Sequence, residues 1–504
     1  MTDLPSRRTF LGLAGVSAAA VVLGTGAPAH AFTPGGEDVP ADPFTLGVAS
    51  GDPEPDGFVL WTRLAPEPLA ADGHGGMPRR PFDVHYEVAE DPRFSRVVRR
   101  GHAVASPDLA HSVHPEVNGL RPGREYFYRF RAGRSISPVG RTRTAPAHRD
   151  QAGKLSFAVA SCQAWYHGHF TAYRHMATED LDLVFFVGDY IYEYAINSVN
   201  LWREGVQLDK VHDAEVRTLE QYRLRYALFK SDPHLQAVHA KAPWVSTWDD
   251  HEVQNNYDHA GQGVTPEDFE RRRAVAYRAY YENMPLRRTS LPRGPEMTLY
   301  RRLHWGRLAD FTVLDTRQYR VPEKSILGAR QEKWLHDGLR SSSATWNVLA
   351  QQVVMAQIDR DTGPGQTFSD DQWDGFRAER ERLLALRTPN LVVLTGDIHR
   401  HVAADLKADF NDPRSATIGT ELVAGSIGSD GDGAPRDNYT DLWLSNPHVK
   451  FYDGRRGYLH CTMTPERLTS EYKVVDYIRR DDRAPVSTAA RFVTTAGRPG
   501  LEAL

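Results

Sequence analysis

The sequence predicts a multidomain protein in which an all-β sandwich precedes a layered α/β domain. Three observations predict it. At 504 residues the chain exceeds one ordinary domain. From Phe44 to about Thr144, short strand-like runs are separated by turns, with no helical periodicity between them. From Lys154 onward, near-continuous apolar runs alternate with helical patterns, which marks strands buried on both faces.

The first element is an address and not part of the fold. Ser6-Arg7-Arg8-Thr9-Phe10-Leu11 precedes an Ala/Gly-rich run to Gly26, and Ala29-His30-Ala31 supplies small residues for cleavage. The apolar run is too short and weak to span a bilayer. Paired arginines before Phe-Leu match a twin-arginine export signal, so residues 1–31 read as a signal peptide and 32–43 as a Pro/Gly linker. The expected partner of the precursor is the twin-arginine export machinery. The expected destination is secreted, extracellular or periplasmic. That route carries folded protein, commonly with a cofactor already inserted. No later segment holds 18 uninterrupted apolar residues, and a net charge of -4 implies no polyanion-binding surface. No stable membrane or nucleic-acid partner is therefore expected. Local basic runs such as Arg271-Arg272-Arg273 read as solvated helix faces. Two cysteines, Cys162 and Cys461, are too few for a disulfide framework, although one bridge is open.

Residues 44–147 form the predicted sandwich. Phe58–Trp61, Val84–Val88 and Glu125–Phe130 read as strands, and the turn from Leu120 leads into Tyr126 in the manner of a tyrosine corner. The pattern suits an immunoglobulin/fibronectin III-like domain. Arg141 to Gly153 is polar and turn-rich, a domain boundary.

Residues 153–480 form the second domain, and 481–504 a C-terminal tail with a possible place over the active site. Buried strands are predicted at Leu155–Ser161, Leu181–Gly188, Trp244–Trp248 and Asn390–Gly396. Helices are predicted at Thr218–Phe229, with Thr218 and Gln221 at capping-box spacing, at Ala329–Leu339 and at Asp370–Arg387.

Each of those strands runs into metal-capable residues: Cys162; Asp189 and Tyr192; Asp249-Asp250-His251-Glu252; Asp397, His399 and His401. Open α/β sheets place their sites at such C-terminal ends. A single carboxylate there is usually a helix cap, but four such ends in one domain are hard to explain as caps. The residue types suit two cations. Asp189 can bridge them, and a two-metal site clamps the attacking and leaving oxygens of a phosphoryl transfer. A thiolate at Cys162 and a phenolate at Tyr192 favour an electron-poor transition metal. Asp250 and Asp397, with Asn255 and Asn256 nearby, suit a calcium-like partner. His401 and Cys461 read as structural, and Gly425 to Gly433 as an active-site loop without a role of its own.

Ser161-Cys162-Gln163, Gly188-Asp189-Tyr190-Ile191-Tyr192-Glu193, Thr247–Glu252 and Gly396-Asp397-Ile398-His399-Arg400 together resemble the alkaline phosphatase D family. Phe44–Pro53 and Leu314–Tyr319 are similar to further stretches of it, so the resemblance spans nearly all of the mature chain. It implies an N-terminal immunoglobulin-like domain followed by an α/β/β/α metallophosphatase sandwich. It also implies a ferric iron and calcium site that hydrolyses phosphate monoesters and diesters. Cys162, Asp189, Tyr192 and His399 would hold iron. Asp189 would bridge to calcium, completed by Asp397 and either Asp250 or Asn255, with Asp250 favoured. His251 would act as proton donor or oxyanion stabiliser, and Arg400 would bind a phosphate oxygen.

The reaction implied is in-line attack of a metal-bound hydroxide on a phosphate ester. Two other readings differ in what the site holds: an iron–zinc or iron–manganese hydrolase like the purple acid phosphatases, or an extracellular binding protein with an inactive metal site. Replacement of Arg7-Arg8 by Lys-Lys is expected to trap the precursor inside the cell, because the export route reads the arginine pair. Fractionation and immunoblotting check this; undiminished secretion of active enzyme would show that the general pathway suffices.

Overall fold

The computed structural model describes Val39 and residues 42–504 except 259 and 262. The signal peptide and most of the linker lie outside the described residues. The apolar runs form parallel strands at the centres of two sheets. In the first, Leu155–Ala160, Leu183–Val187 and Trp244–Thr247 lie side by side. In the second, Ala309–Val313, Trp346–Ala350, Leu391–Thr395 and Thr417–Val423 do the same. Antiparallel strands extend both, giving an 11-stranded and a 7-stranded sheet.

Strand periodicity explains why both faces of these runs are apolar. Phe157, Val159, Phe185, Val187 and Val245 point into one core, where they meet Phe311, Val348, Val392 and Leu394 from the second sheet. The rings of Phe157, Phe185 and Phe311 contact one another there, with centroids 4.7–5.8 Å apart. Each such ring contributes roughly 1.5–3 kcal/mol by leaving water. The alternate residues, Ala158, Ala160, Val184, Phe186 and Trp244, face outward into a second core. That core lies under the helices Thr171–Met176, Leu219–Lys230, Pro233–Lys241 and Pro266–Asn283. Leu349, Leu391 and Val393 enter a third core with residues of Gly328–Ser341, Arg377–Leu384 and Thr440–Leu444. The order of layers is helices, sheet, sheet, helices. No described helix is long and apolar enough to cross a membrane.

The capping box is present: Thr218 Oγ1 accepts from Gln221 N, and the Gln221 side chain returns to the Thr218 NH. The predicted helix Asp370–Arg387 is shorter than expected. It begins only at Arg377, after a 3₁₀ turn at Trp373–Phe376. Residues 371–374 are drawn elsewhere: Asp371 to Arg317, Gln372 to Asp397 and Asp374 to Ile358 N. These side-chain bonds outcompete the first helical turn. The residues after Asp481, expected as a tail, form the strands Val486–Thr495 and Arg498–Ala503 at one edge of the first sheet. Both cysteines are free and buried.

In the N-terminal region, Val97–Ala105, Phe82–Ala89 and Glu125–Ala132 form the body of a five-stranded sheet. It packs through Val84, Val88, Tyr126, Tyr128 and Phe130 onto Val48, Phe58 and Leu60. Tyr126 Oη accepts from Arg121 N at 3.0 Å, the geometry of a tyrosine corner. The opposing strands, Val48–Glu54 and Gly57–Arg63, do not belong to a separate sheet. Val48–Glu54 pairs in parallel with Trp244–Thr247, at Gly51 opposite Trp244. The first sheet therefore runs from the N-terminal region through to the parallel strands.

Gly51 makes this junction, because a Cβ there would stand 2.3 Å from Pro285 O and 2.8 Å from Trp244 O. Gly51→Val is expected to cost about 1–3 kcal/mol through overpacking. A drop in melting temperature checks this; an unchanged melt would mean that the junction yields freely.

Candidate metal centre

Five strand ends deliver the site to one edge of the sheets. Cys162 follows Leu155–Ala160, and Asp189 and Tyr192 follow Leu183–Val187. Asp249, Asp250 and His251 follow Trp244–Thr247, Arg317 follows Ala309–Val313, and Asp397 and His399 follow Leu391–Thr395. Cys162, Asp189, Asp397 and His399 all have left-handed backbones, with φ of 57°, 59°, 68° and 54°. Such a conformation costs a residue with a Cβ about 1–2 kcal/mol and persists only where its surroundings dictate it.

Glu252 supplies much of that dictation. One oxygen accepts the NH of Tyr190 at 2.6 Å; the other accepts those of Asp189 at 3.2 Å and Asp249 at 2.9 Å. It thereby locks two ligand-bearing turns together, and burial raises its pKa to about 7. Gly188, at φ 116°, lets the turns meet, since a Cβ there would lie 2.4 Å from Asp249 Cβ. Cys162 N and Gln163 N donate to Gly188 O and Asp189 O, both at 3.0 Å.

Three overlapping groups result, each with ligand atoms within 4.8 Å of one another: Cys162, Asp189 and His399; Asp189, Asp250 and His251; Asp249, Asp250 and Asp397. Asp189 joins the first two groups and Asp250 the last two. Tyr192 belongs with the first. Its Oη donates to Asp189 Oδ2 at 3.0 Å, lies 2.9 Å from His399 Nε2 and accepts from Ser429 Oγ at 2.8 Å. Asp430 Oδ2 sits 2.8 Å from His399 Nδ1, a carboxylate that fixes the ring and aims Nε2 inward.

The electrostatics demand added positive charge. Burial pushes the carboxyls of Asp189, Asp249 and Asp397 up, and their acidic neighbours push further. Burial and then Asp189 do the same to the Cys162 thiol and the Tyr192 phenol. Fully buried Arg317 is bonded to Asp249 and to both oxygens of Asp371, at 2.6 and 3.1 Å, and lies 3.4 Å from Asp397. Against burial, Arg317 and His251 hold Asp250 below its ordinary value. Asp189 Oδ1, Asp249 Oδ2 and Asp250 Oδ1 are buried without a hydrogen-bond partner among the described residues. Buried, unpartnered carboxylate oxygens beside a thiol and a phenol fit cations, which would relieve the mutual repulsion and satisfy the lone pairs.

His251 sits against the centre, its ring centroid 4.3 Å from that of Tyr192. Glu193 Oε2 holds its Nδ1 at 2.8 Å, and Asp250 Oδ2 lies 3.8 Å from its Nε2. Burial opposes its protonation, but Asp250, Glu193 and Asp189 outweigh burial and raise its pKa well above the ordinary value. Asn255 reaches this web through its main-chain NH, which donates to Glu193 Oε1 at 2.8 Å. Arg400, expected at the phosphate, is anchored by neighbouring residues. Its Nε donates to Asp437 at 2.5 Å and Tyr452 at 3.0 Å, and its Nη1 to His399 O at 3.0 Å.

His401 is buried and its Nδ1 accepts from Gly425 N at 3.0 Å, a packing role. The loop from Gly425 to Gly433 contributes more than the sequence reading gave it, through Ser429 and Asp430. Asp249 and Glu252 stand in the strand-end run already read as metal-capable, without roles of their own. Sequence reasoning missed Glu193 and Arg317 as parts of the site; both stand inside the motif runs, where their position was the available signal. Asp371 had none, because its partners are remote in sequence, and Asp430 had only the active-site reading of its loop.

The family model for PhoD-like phosphatases matches residues 157–472, and that for the PhoD-like phosphatase N-terminal domain matches residues 29–146. The chain is 47% identical over 483 residues to alkaline phosphatase D of Bacillus subtilis (strain 168), covering 91% of this chain and 82% of that protein. A solved structure of PhoD superposes with a TM-score of 0.87 at 46% identity, covering 93% of each chain.

Glu252→Gln leaves one carbonyl oxygen for the main-chain NH groups that two carboxylate oxygens now accept. A loss of about 1–3 kcal/mol is expected, together with weaker metal retention. Thermal melting and elemental analysis on one sample check it; a wild-type melt with full metal would show that the turns hold themselves.

Proposed function

The chain belongs to the PhoD-like phosphatase family and is a phosphoric ester hydrolase, and we propose that it cleaves phosphate monoesters and diesters at a ferric iron–calcium site. One observation carries the choice of metals. A thiol, a phenol and an imidazole converge on one side of Asp189, while carboxylates predominate on the other, with the His251 imidazole beside them. Soft and phenolic donors suit ferric iron, while hard oxygens suit calcium. In this reading Cys162, Tyr192, His399 and Asp189 hold iron. Asp189, Asp250 and Asp397 hold calcium, with Asn255 beside them.

When bound, the cations supply an acidified water as nucleophile and neutralise charge on the phosphoryl oxygens. The remaining work falls to the protein. Glu193 fixes His251 through Nδ1, so that Nε2 carries the proton offered to the leaving oxygen. Asp430 keeps the His399 ring from turning, and Arg400 braces the same turn through the His399 carbonyl. Arg317 and Gln372 hold the Asp397 carboxylate. No side-chain nucleophile is needed, since water attacks phosphorus directly.

We read the N-terminal two-sheet packing as the immunoglobulin-like domain and the four layers as the metallophosphatase sandwich. The twin-arginine motif supports export of the folded precursor and activity outside the cytoplasm.

Native protein exported through its own signal is expected to contain iron and calcium, to hydrolyse a chromogenic phosphate ester and to be coloured by phenolate-to-iron charge transfer. Tyr192→Phe is expected to remove or shift that band, and Cys162→Ser to lower iron content; both are expected to lose activity. Elemental analysis, absorbance and turnover on the same samples check this. Stoichiometric zinc alone with full activity overturns the iron assignment, and full iron without turnover in Cys162→Ser would point to a catalytic thiol.

A further inference from the structure

The turn that carries Arg317 to the acid cluster continues into Gln318 and Tyr319, which line a cavity of about 720 Å³. That volume is in the range of small-molecule sites. Arg273, Arg288, Arg293 and Arg330 also line it, against a single acidic residue among the described lining, Glu296. None of these four guanidiniums is in an ion pair among the described residues, and Arg273 Nε is buried without a hydrogen-bond partner. Their neighbours are paired: Arg271 with Asp268, Arg272 with Glu215 at 2.7 Å and Arg287 with Glu116 at 3.2 Å. The basic run at 271–273 is thus no uniform solvated face. Two of its arginines are neutralised locally, and the third is turned into the cavity.

A second feature points the same way. Arg330 stands in the first turn of the 14-residue helix Gly328–Ser341, which has no side-chain cap and no acidic residue in that turn. A cation there opposes the helix dipole, and an anion beside it would satisfy both. Like charges around one cavity repel unless something neutralises them together. Arginine forks engage phosphate oxygens in pairs, and each phosphate brings about 1.5–2 negative charges in a small volume.

We propose that this cavity binds a small molecule carrying two or more phosphate groups, at a site distinct from the metal cluster. The occupant rests on Gln318, whose side chain bonds Met297 N and O at 3.0 and 2.7 Å and Asp315 Oδ2 at 3.0 Å. Asp315 Oδ1 in turn accepts from Arg317 N at 3.1 Å. Binding therefore braces the turn that presents Arg317 to the acid cluster.

The probe is a trisulfonated pyrene, a fluorescent polyanion without a phosphate ester to cleave, titrated by anisotropy into the metal-loaded protein. Saturable binding is expected, displaced by inorganic tripolyphosphate but not by sodium chloride of equal ionic strength. Arg273→Gln/Arg330→Gln is expected to weaken it at least about tenfold, and exposed Arg330→Gln alone about threefold, as loss of charge-assisted hydrogen bonds predicts. Asp189→Asn, which alters only the metal cluster, is expected to keep the probe. Melting curves establish that each variant is folded. The proposal is overturned if folded double-variant protein binds as wild type does, if salt alone displaces the probe, or if folded Asp189→Asn loses it. The last outcome would assign the anion to the metal cluster and leave the phosphatase reading intact.

Discussion

The architecture turns on how Arg317 is buried. A guanidinium with no solvent exposure is tolerable only where carboxylates surround it, and Asp249, Asp250, Asp371 and Asp397 do so. These carboxylates are in turn tolerable only because of Arg317 and whatever cations complete the set. Strand ends, loop paths and the shortened helix at Arg377 all follow from bringing those acids to one point. Removing the arginine would leave buried negative charge without compensation, the costlier half of any broken ion pair.

Strain and support are divided between different groups. Four residues that offer ligand atoms, Cys162, Asp189, Asp397 and His399, occupy unfavourable backbone conformations, and residues without a ligand role help to hold the site together. Glu252 does this with main-chain NH groups, Asp430 with the His399 ring, and Ser429 with the Tyr192 hydroxyl. Hydrogen bonds from residues outside the ligand set therefore orient several of the donors. Such preorganisation is how a site gains affinity without added contacts.

Much of this was legible in the sequence, for identifiable reasons. Unbroken apolar runs such as Leu183–Val187 announced strands covered on both sides, and ligand types at their ends announced the site. Other parts were not legible. The helix expected at Asp370 has ordinary helical periodicity, but side-chain bonds to partners far away in the chain override its first turns. Arg400 reads as a phosphate ligand from its place beside His399; its anchoring by Asp437 and Tyr452 has no local signature. Asp430 lies in a glycine-rich loop legible as part of the active site, but its contact with the His399 ring has no local signature. The sharing of one sheet by the N-terminal region and the parallel strands also has no signature, since a single pairing at Gly51 creates it.

That shared sheet bears on how the protein tolerates being divided. The N-terminal strands cover the side of Trp244–Thr247, the strand that leads directly into Asp249 and Asp250. A fragment beginning after residue 147 would present that strand as a bare edge, ready to recruit another chain through its open main-chain groups. The N-terminal region is thus a guard against self-association as much as a domain of its own. It is also synthesised first, so the guard is in place before the strand it protects emerges.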